Sequence, residues 1–522
     1  MSGFSELLSE YARRGVYTKR QLADMCDIDR TLLQKIMSGE RKPKNEEVVI
    51  KIASKLAISA EELKSLLEEY HILDVGSDIY YQRKEVENFI KDFYRGIKNP
   101  PRSESFSVTA TDNHVDGISC KKGKFNIMNR MYNAFAKAIV DSTDNPEIIL
   151  YMQPQYDDVI SALLNVCNKN TIIRQVVCLG NGNERNTIRN NMEIFHKLLP
   201  MALSDSDYQV RFFYENVNSH RNAMQIFSNY IIVNKTVIMF DYEEENAVFI
   251  DNQDFYNIVS ESFENIWKKS EMLIKRHGDI MEYIKGFFSE GKKYYTTLEY
   301  DPCVTFGFTR EICDLLLIKD FPNRDVYIDS FMDSIVKIKN WVVDEKRPMK
   351  VFFTRSGLKN FMETGILGKY PMEMWDKPVP PDMRVDLMEA VLYAMKNGAY
   401  EAFVVNDDMF GMTPKELIEI RADGSMVMTR GVESGDMHFM EVREQGIVSA
   451  FEDFFQNFET DSRVIAGELA YNYIYDEVEQ YKLKMFLGGG YSLIKEPEEW
   501  QDAQHSQRPA AENNIENNIR PA

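Results

Sequence analysis

Arg30, Thr31, Gln34 and Lys35 fall within one short stretch, TKRQLADMCDIDRTLLQKIMSGERKP, which runs from Thr18 to Pro43. At 3.6 residues per turn these side chains share one helix face. Their chemistry suits the edges of base pairs: arginine and lysine pair with guanine, glutamine with adenine, and threonine with either. From residue 11 to 44 there are nine Lys or Arg against four Asp or Glu, a local +5 in a chain of net charge −20. Residues 1–70 as a whole balance, twelve against twelve. The positive charge is therefore concentrated on the motif, as a phosphate-facing surface requires. The acidic remainder excludes wholesale wrapping of nucleic acid.

That face needs a scaffold to hold it out, and residues 4–70 predict five short helices. Phe4, Leu7, Leu8 and Tyr11 recur at helical spacing. Thr18 with Gln21 reads as a capping box opening a second helix, whose apolar face is Leu22, Ala23 and Met25 or Cys26. Asp27 lies where the chain must turn. Asp29 is a suitable N-cap for a third helix with Leu32, Leu33 and Ile36 on its buried side, stopped at Ser38-Gly39. Val48, Val49, Ile52 and Leu56 mark a fourth helix, and Leu63, Leu66 and Leu67 a fifth. Two helices joined by a tight turn, with small Ala23 at their crossing, make a helix-turn-helix.

Leu22-Ala23, Ile28-Asp29-Arg30, Leu33, Ile36, Gly39 and Lys42-Pro43 resemble, without a gap, the Cro/C1-type (XRE) helix-turn-helix family, whose domains are lambda-repressor-like. The resemblance covers about 70 residues. It implies that Arg30, Thr31, Gln34 and Lys35 face the major groove of double-stranded operator DNA. It also implies that Lys19, Arg41 and Lys42 meet phosphates. There are two departures. Asp27 stands where the family often has Gly, and Met37 where it commonly has Glu.

The expected fold class is multidomain α and α/β: the five-helix domain over 1–70, a linker with a helix over 71–122, an α/β domain over 123–285, a second α/β lobe over 286–486 and a disordered tail over 487–522. Helix signals at Phe125–Val140, Val159–Val166 and Thr187–Leu199 alternate with the strand signals EIILYM, TIIRQVVCLG and QVRFFYE. NYIIVNKTVIMFDY and NAVFID follow as paired strands, and Asp254–Ile274 reads as a long closing helix. The second lobe has a similar ending, with a hairpin around Asp423-Gly424, the strand HFMEVRE and a helix. Ile258-Val259-Ser260 with Phe263-Glu264 has its counterpart in Ile447-Val448-Ser449 with Phe451-Glu452. The two lobes are either an internal duplication or a coincidence of pattern.

The element order of residues 123–275 is similar to that of phospholipase-D-like domains, whose enzymes use a His-x-Lys pair with a downstream Asp. None of the seven histidines is followed two residues later by Lys, so the expected enzyme activity is none. Smaller candidates read as turns or surface. They are the Gly180-Asn181-Gly182-Asn183 loop after a strand, Asn406-Asp407-Asp408, and His220-Arg221 near Arg211. No cofactor and no metal are expected. Six dispersed cysteines show no CxxC pair, and no apolar run is long enough to span a bilayer. The expectation is therefore a cytoplasmic, DNA-binding homodimer that responds to a small-molecule or protein signal. The alternatives are an enzyme, or an interaction scaffold or antitoxin, carrying the helix-turn-helix.

Overall fold

The computed structural model describes residues 2–95, 117–142, 145–182, 184–215, 227, 229–277, 294–345, 348–368, 370, 375, 377–431 and 437–487. The expected tail lies almost wholly outside them. The chain is a multidomain α and α/β protein, beginning with five helices: α1 (Gly3–Arg14), α2 (Lys19–Met25), α3 (Arg30–Ser38), α4 (Glu46–Ala53) and α5 (Ala60–Val75). They enclose a separate small core that includes Phe4, Leu8, Leu22, Leu33, Ile36 and Ile52.

A sixth helix, α6 (Ser77–Arg95), follows after Gly76, whose φ of 90° breaks the path. The sequence predicts only Glu85–Ile97 as helix, within a linker. The helix instead starts at Ser77, and its stripe of Val86, Phe89, Ile90 and Phe93 is fully buried. The phenol of Tyr94 donates to the Leu298 carbonyl at 2.7 Å, deep in the α/β region.

The first set of strands and helices is β1 (Ile118–Lys122), α7 (Lys124–Asp141), β2 (Glu147–Tyr151), α8 (Asp157–Val166), β3 (Ile172–Leu179), α9 (Arg185–Ala202), β4 (Asp207–Tyr214), β5 (Asn229–Val233), β6 (Thr236–Phe240), β7 (Asn246–Ile250) and α10 (Gln253–Lys269). The second is β8 (Glu271–His277), β9 (Tyr294–Glu299), α11 (Arg310–Leu316), α12 (Arg324–Glu345), β10 (Met349–Thr354), α13 (Arg355–Thr364), α14 (Pro381–Lys396), β11 (Tyr400–Val405), β12 (Leu417–Arg421), β13 (Met426–Gly431), β14 (Met437–Val442) and α15 (Gln445–Phe458). β15 (Val464–Ile465) and α16 (Gly467–Leu487) end the described chain.

All fifteen strands form one sheet, in the order β1-β7-β6-β5-β2-β3-β4-β8-β14-β13-β12-β9-β10-β11-β15. The order of the first seven recurs in the next seven. β1 corresponds to β8, β7 to β14, and so on through β4 to β11. The pairing senses also agree: β2, β3 and β4 are parallel, as are β9, β10 and β11, and each meander is antiparallel. The lobes join where β4 pairs antiparallel with β8. An antiparallel join with the same left-to-right order turns the second lobe over. Right-handed crossovers then put its connecting helices on the opposite face. Accordingly α7, α8 and α9 share a core with α15 on one face, while α11 to α14 pack with α16 on the other.

The structure corrects the closing helix read over Asp254–Ile274. The helix ends at Lys269, where the Ser270 N–H caps the Ile266 carbonyl, and β8 follows. Met272-Leu273-Ile274 continues a helical apolar pattern by sequence. Free ladder groups on β4 and β14 claim it as a strand instead.

Polar clamps reinforce the apolar seating of α6. Arg83 makes a bidentate pair with Asp453 of α15 at 2.7 and 3.0 Å. His196 of α9 lies between Glu85 at 2.5 Å and Asp92 at 2.9 Å. Burial alone would lower the His196 pKa, but the two carboxylates outweigh it and raise it above the ordinary value. A raised folded-state pKa contributes stability that is complete below the unfolded pKa and lost as pH rises through the folded one. His196→Gln should therefore destabilise the protein, by on the order of 1 kcal/mol at pH 6 and by less at pH 9. Thermal melts of both proteins at the two pH values check this.

Candidate nucleic-acid interface

The caps that define α2 and α3 are all formed. Thr18 Oγ1 accepts from the Gln21 N–H, and the Gln21 side chain accepts from the Thr18 N–H at 2.9 Å, completing the capping box. Asp29 Oδ1 accepts from the Leu32 N–H at 2.9 Å, opening α3. Gly39, with φ of 77°, closes it in the left-handed region that glycine enters without steric cost.

The turn between the helices depends on Asp27, at φ 47°. Aspartate tolerates this conformation better than most residues. Its side chain is 98% exposed, and its contact with Lys51 Nζ is long at 3.8 Å, so its role is in the backbone. Asp27→Gly should leave stability equal or slightly higher. Asp27→Val should cost about 1–2 kcal/mol, because a β-branched residue resists positive φ. Chemical denaturation of the two variants tests the difference.

Ala23 is buried on the inner side of α2, and its carbonyl accepts the Ile28 N–H at 3.0 Å across the turn. Met37, the second departure, is buried in the domain core, and its carbonyl accepts from the Ser9 hydroxyl at 3.0 Å.

With Leu33, Ile36 and Met37 inward, the opposite face of α3 is left to solvent. Arg30, Thr31, Gln34 and Lys35 are all exposed. Lys19, Arg41 and Lys42 are exposed as well, at the start of α2 and in the loop after α3. Among the described residues, Lys19, Arg30, Lys35 and Arg41 make no ion pair. Lys42 differs, since its ammonium meets Asp74 of α5 at 2.5 Å. Arg20, in the first turn of α2, and Lys44, just before the Asn45 cap of α4, are exposed too.

Gly180, Asp407 and Arg211, among the smaller candidates, each have partners within the protein. Asn191, buried on α9, donates to the Gly180 carbonyl at 3.0 Å and accepts the Gly180 N–H at 2.9 Å. That N–H is therefore not offered to an anion. Asp407 accepts from both the N–H and the hydroxyl of Ser356, at 3.0 and 2.7 Å, and so serves the start of α13. Arg211 donates to the carbonyls of Trp267 and Ser270 and anchors the end of α10. His220 and Arg221 lie outside the described residues. Among the described residues no group of His, Cys, Asp and Glu could hold a metal, and no helix is long and apolar enough to cross a membrane.

No family model matches the chain, and no curated protein matches it. Solved structures that align include TrmBL2, an archaeal chromatin protein described with a novel mode of DNA binding, at 13% identity and a TM-score of 0.19 over 52% of this chain and 94% of that one. Phosphatidylserine synthase from Haemophilus influenzae Rd KW20 aligns at 8% identity and a TM-score of 0.24, over 78% of this chain and 98% of that one. Polyphosphate kinase from Porphyromonas gingivalis aligns at 9% identity and a TM-score of 0.21, over 70% and 53%. Likenesses at these scores assign neither a family nor a function.

Proposed function

We propose that this protein is a DNA-binding transcriptional regulator of the Cro/C1 type, acting in the cytoplasm as a homodimer. Its helix-turn-helix reads an operator, and its α/β region dimerises and receives a small-molecule or protein signal without catalysing a reaction. The observation that carries the reading is the outer face of α3. Arg30, Thr31, Gln34 and Lys35 stand exposed on a helix whose two ends are capped and whose inner side is locked into a core. Side chains of this chemistry would discriminate base edges, and Lys19 and Arg41 supply phosphate-facing charge beside them. Two-fold pairing would place two such helices one helical turn apart on a duplex. The acidic body would repel DNA away from the contact face.

Titration of a mixed-sequence duplex between about 50 and 200 mM salt tests the reading. Affinity should fall linearly on a log–log plot, and Lys19→Ala should flatten the slope by about one unit. Binding that is absent at low salt, or indifferent to salt, would sink it.

A further inference from the structure

We infer that β1 is the homodimer strand: two copies of the chain pair antiparallel along its open edge, about a two-fold axis through Cys120. The inference deepens the proposed dimer but rests on the sheet, not on DNA recognition. Strand one of each repeat has two edges. In the second repeat, β8 bonds β14 on one side and β4 on the other, both antiparallel. In the first repeat, β1 bonds β7 and has no second neighbour among the described strands. The chain thus shows what this edge accepts. It also shows which occupant is blocked. A second copy cannot continue the sheet head to tail through β11, because β15 covers that strand where β8 covers β4. β15 ends the sheet with an edge of its own, but it is two residues long against five in β1, so the pairing that uses the whole strand is β1 with β1.

The register follows from the hydrogen bonds. The Asp251 N–H donates to the Gly117 carbonyl, and the Gly123 N–H to the Glu245 carbonyl. In an antiparallel ladder, alternate residues bond the same neighbour. Gly117, Ser119, Lys121 and Gly123 therefore bond β7, while Ile118, Cys120 and Lys122 present their N–H and C=O groups outward. Centring on Cys120 puts Ile118 opposite Lys122 of the second copy, so the terminal lysines do not meet each other. Lysine on an edge usually deters pairing, and this register avoids that repulsion. The axis also runs α7 antiparallel to its copy. Phe125 near one end of α7 is 64% exposed and Val140 near the other is 82% exposed.

The test uses the full-length protein, light scattering and a short bis-maleimide. Cys120 is exposed, four of the other cysteines are buried and Cys167 is half-buried. Facing residues in such a pair are about 5.5 Å apart. The expected results are a dimeric mass, a covalent dimer with the reagent, and loss of the covalent product but not of the dimer in Cys120→Ser. Cys120→Pro removes an outward N–H without touching β7. Cys120→Lys sets like charges face to face. Each should raise the dimer dissociation constant at least tenfold, while a melt taken below that constant, where every protein is monomeric, keeps its midpoint. A monomeric wild type, a dimer that neither variant weakens, or a dimer that does not cross-link through Cys120 would overturn the assignment. DNA binding is read separately. The variants should keep their preference for a single half-site, and Arg30→Ala/Gln34→Ala should remain dimeric, so failure of the strand pairing is distinguishable from failure of the DNA reading.

Discussion

Arg30→Ala/Gln34→Ala should remove most of the sequence preference while leaving the protein folded and still able to hold DNA weakly. Each bidentate base contact contributes about 1–3 kcal/mol of discrimination, so each loss relaxes the preference at its base pair by about five- to 150-fold. Both side chains are exposed and make no hydrogen bond to the rest of the domain among the described residues. Their removal should therefore shift stability by no more than about 0.5 kcal/mol. The exposed charges of Lys19, Lys35 and Arg41 remain, so non-specific binding and its salt dependence should persist. The combination is diagnostic. A misfolded domain would lose both kinds of binding, and a helix-turn-helix used only for protein contacts would show neither in the wild type. Measuring affinity for a preferred and a scrambled duplex, with a melt alongside, separates these outcomes.

Phe89→Ala should destabilise the α/β region by about 3–5 kcal/mol, the cost of deleting a buried aromatic ring. Phe89 lies on α6, outside both repeats, yet its ring stacks on Phe195 of α9 at 4.9 Å and meets Phe451 of α15 edge-on at 5.4 Å. It thus joins a crossover helix of the first lobe to the closing helix of the second. The same truncation in a solvated linker helix would cost almost nothing. The stability of the small N-terminal core should be unaffected, since that core is a separate cluster. Urea unfolding followed by tryptophan emission leaves the N-terminal domain out of the signal, because all four tryptophans lie beyond residue 260.

The contrast between these two sites explains what was legible in the sequence. Thr18, Gln21, Asp29 and Gly39 act within three or four residues of themselves, so their roles can be read without knowing the fold. The turn between β5 and β6 is equally local, with Asn234 at a φ of 53°. The partners of α6 lie between about 100 and 370 residues away, as with Glu85 and His196 or Arg83 and Asp453, and no local pattern names them. β8 was misread for the same reason: both of its neighbours come from other parts of the chain.

The repeat was half legible. The matching Ile-Val-Ser strings do lie on corresponding helices, α10 and α15. Their N-caps, Asn252 and Glu444, each follow the preceding strand by two residues. Counted from those caps, however, the strings are three residues out of step, and Phe263 corresponds to Phe455 rather than Phe451. The repeat resides in strand order and pairing sense, which a short string does not encode.

The most direct measurement is selection of genomic DNA fragments by the purified protein at two salt concentrations, beside the Arg30→Ala/Gln34→Ala variant. The account predicts enrichment of a palindrome with half-sites about ten base pairs apart. That enrichment should sharpen at the higher salt and vanish in the variant. Enrichment that survives in the variant, or no enrichment at either salt, would contradict the assignment of α3 as the helix that reads DNA.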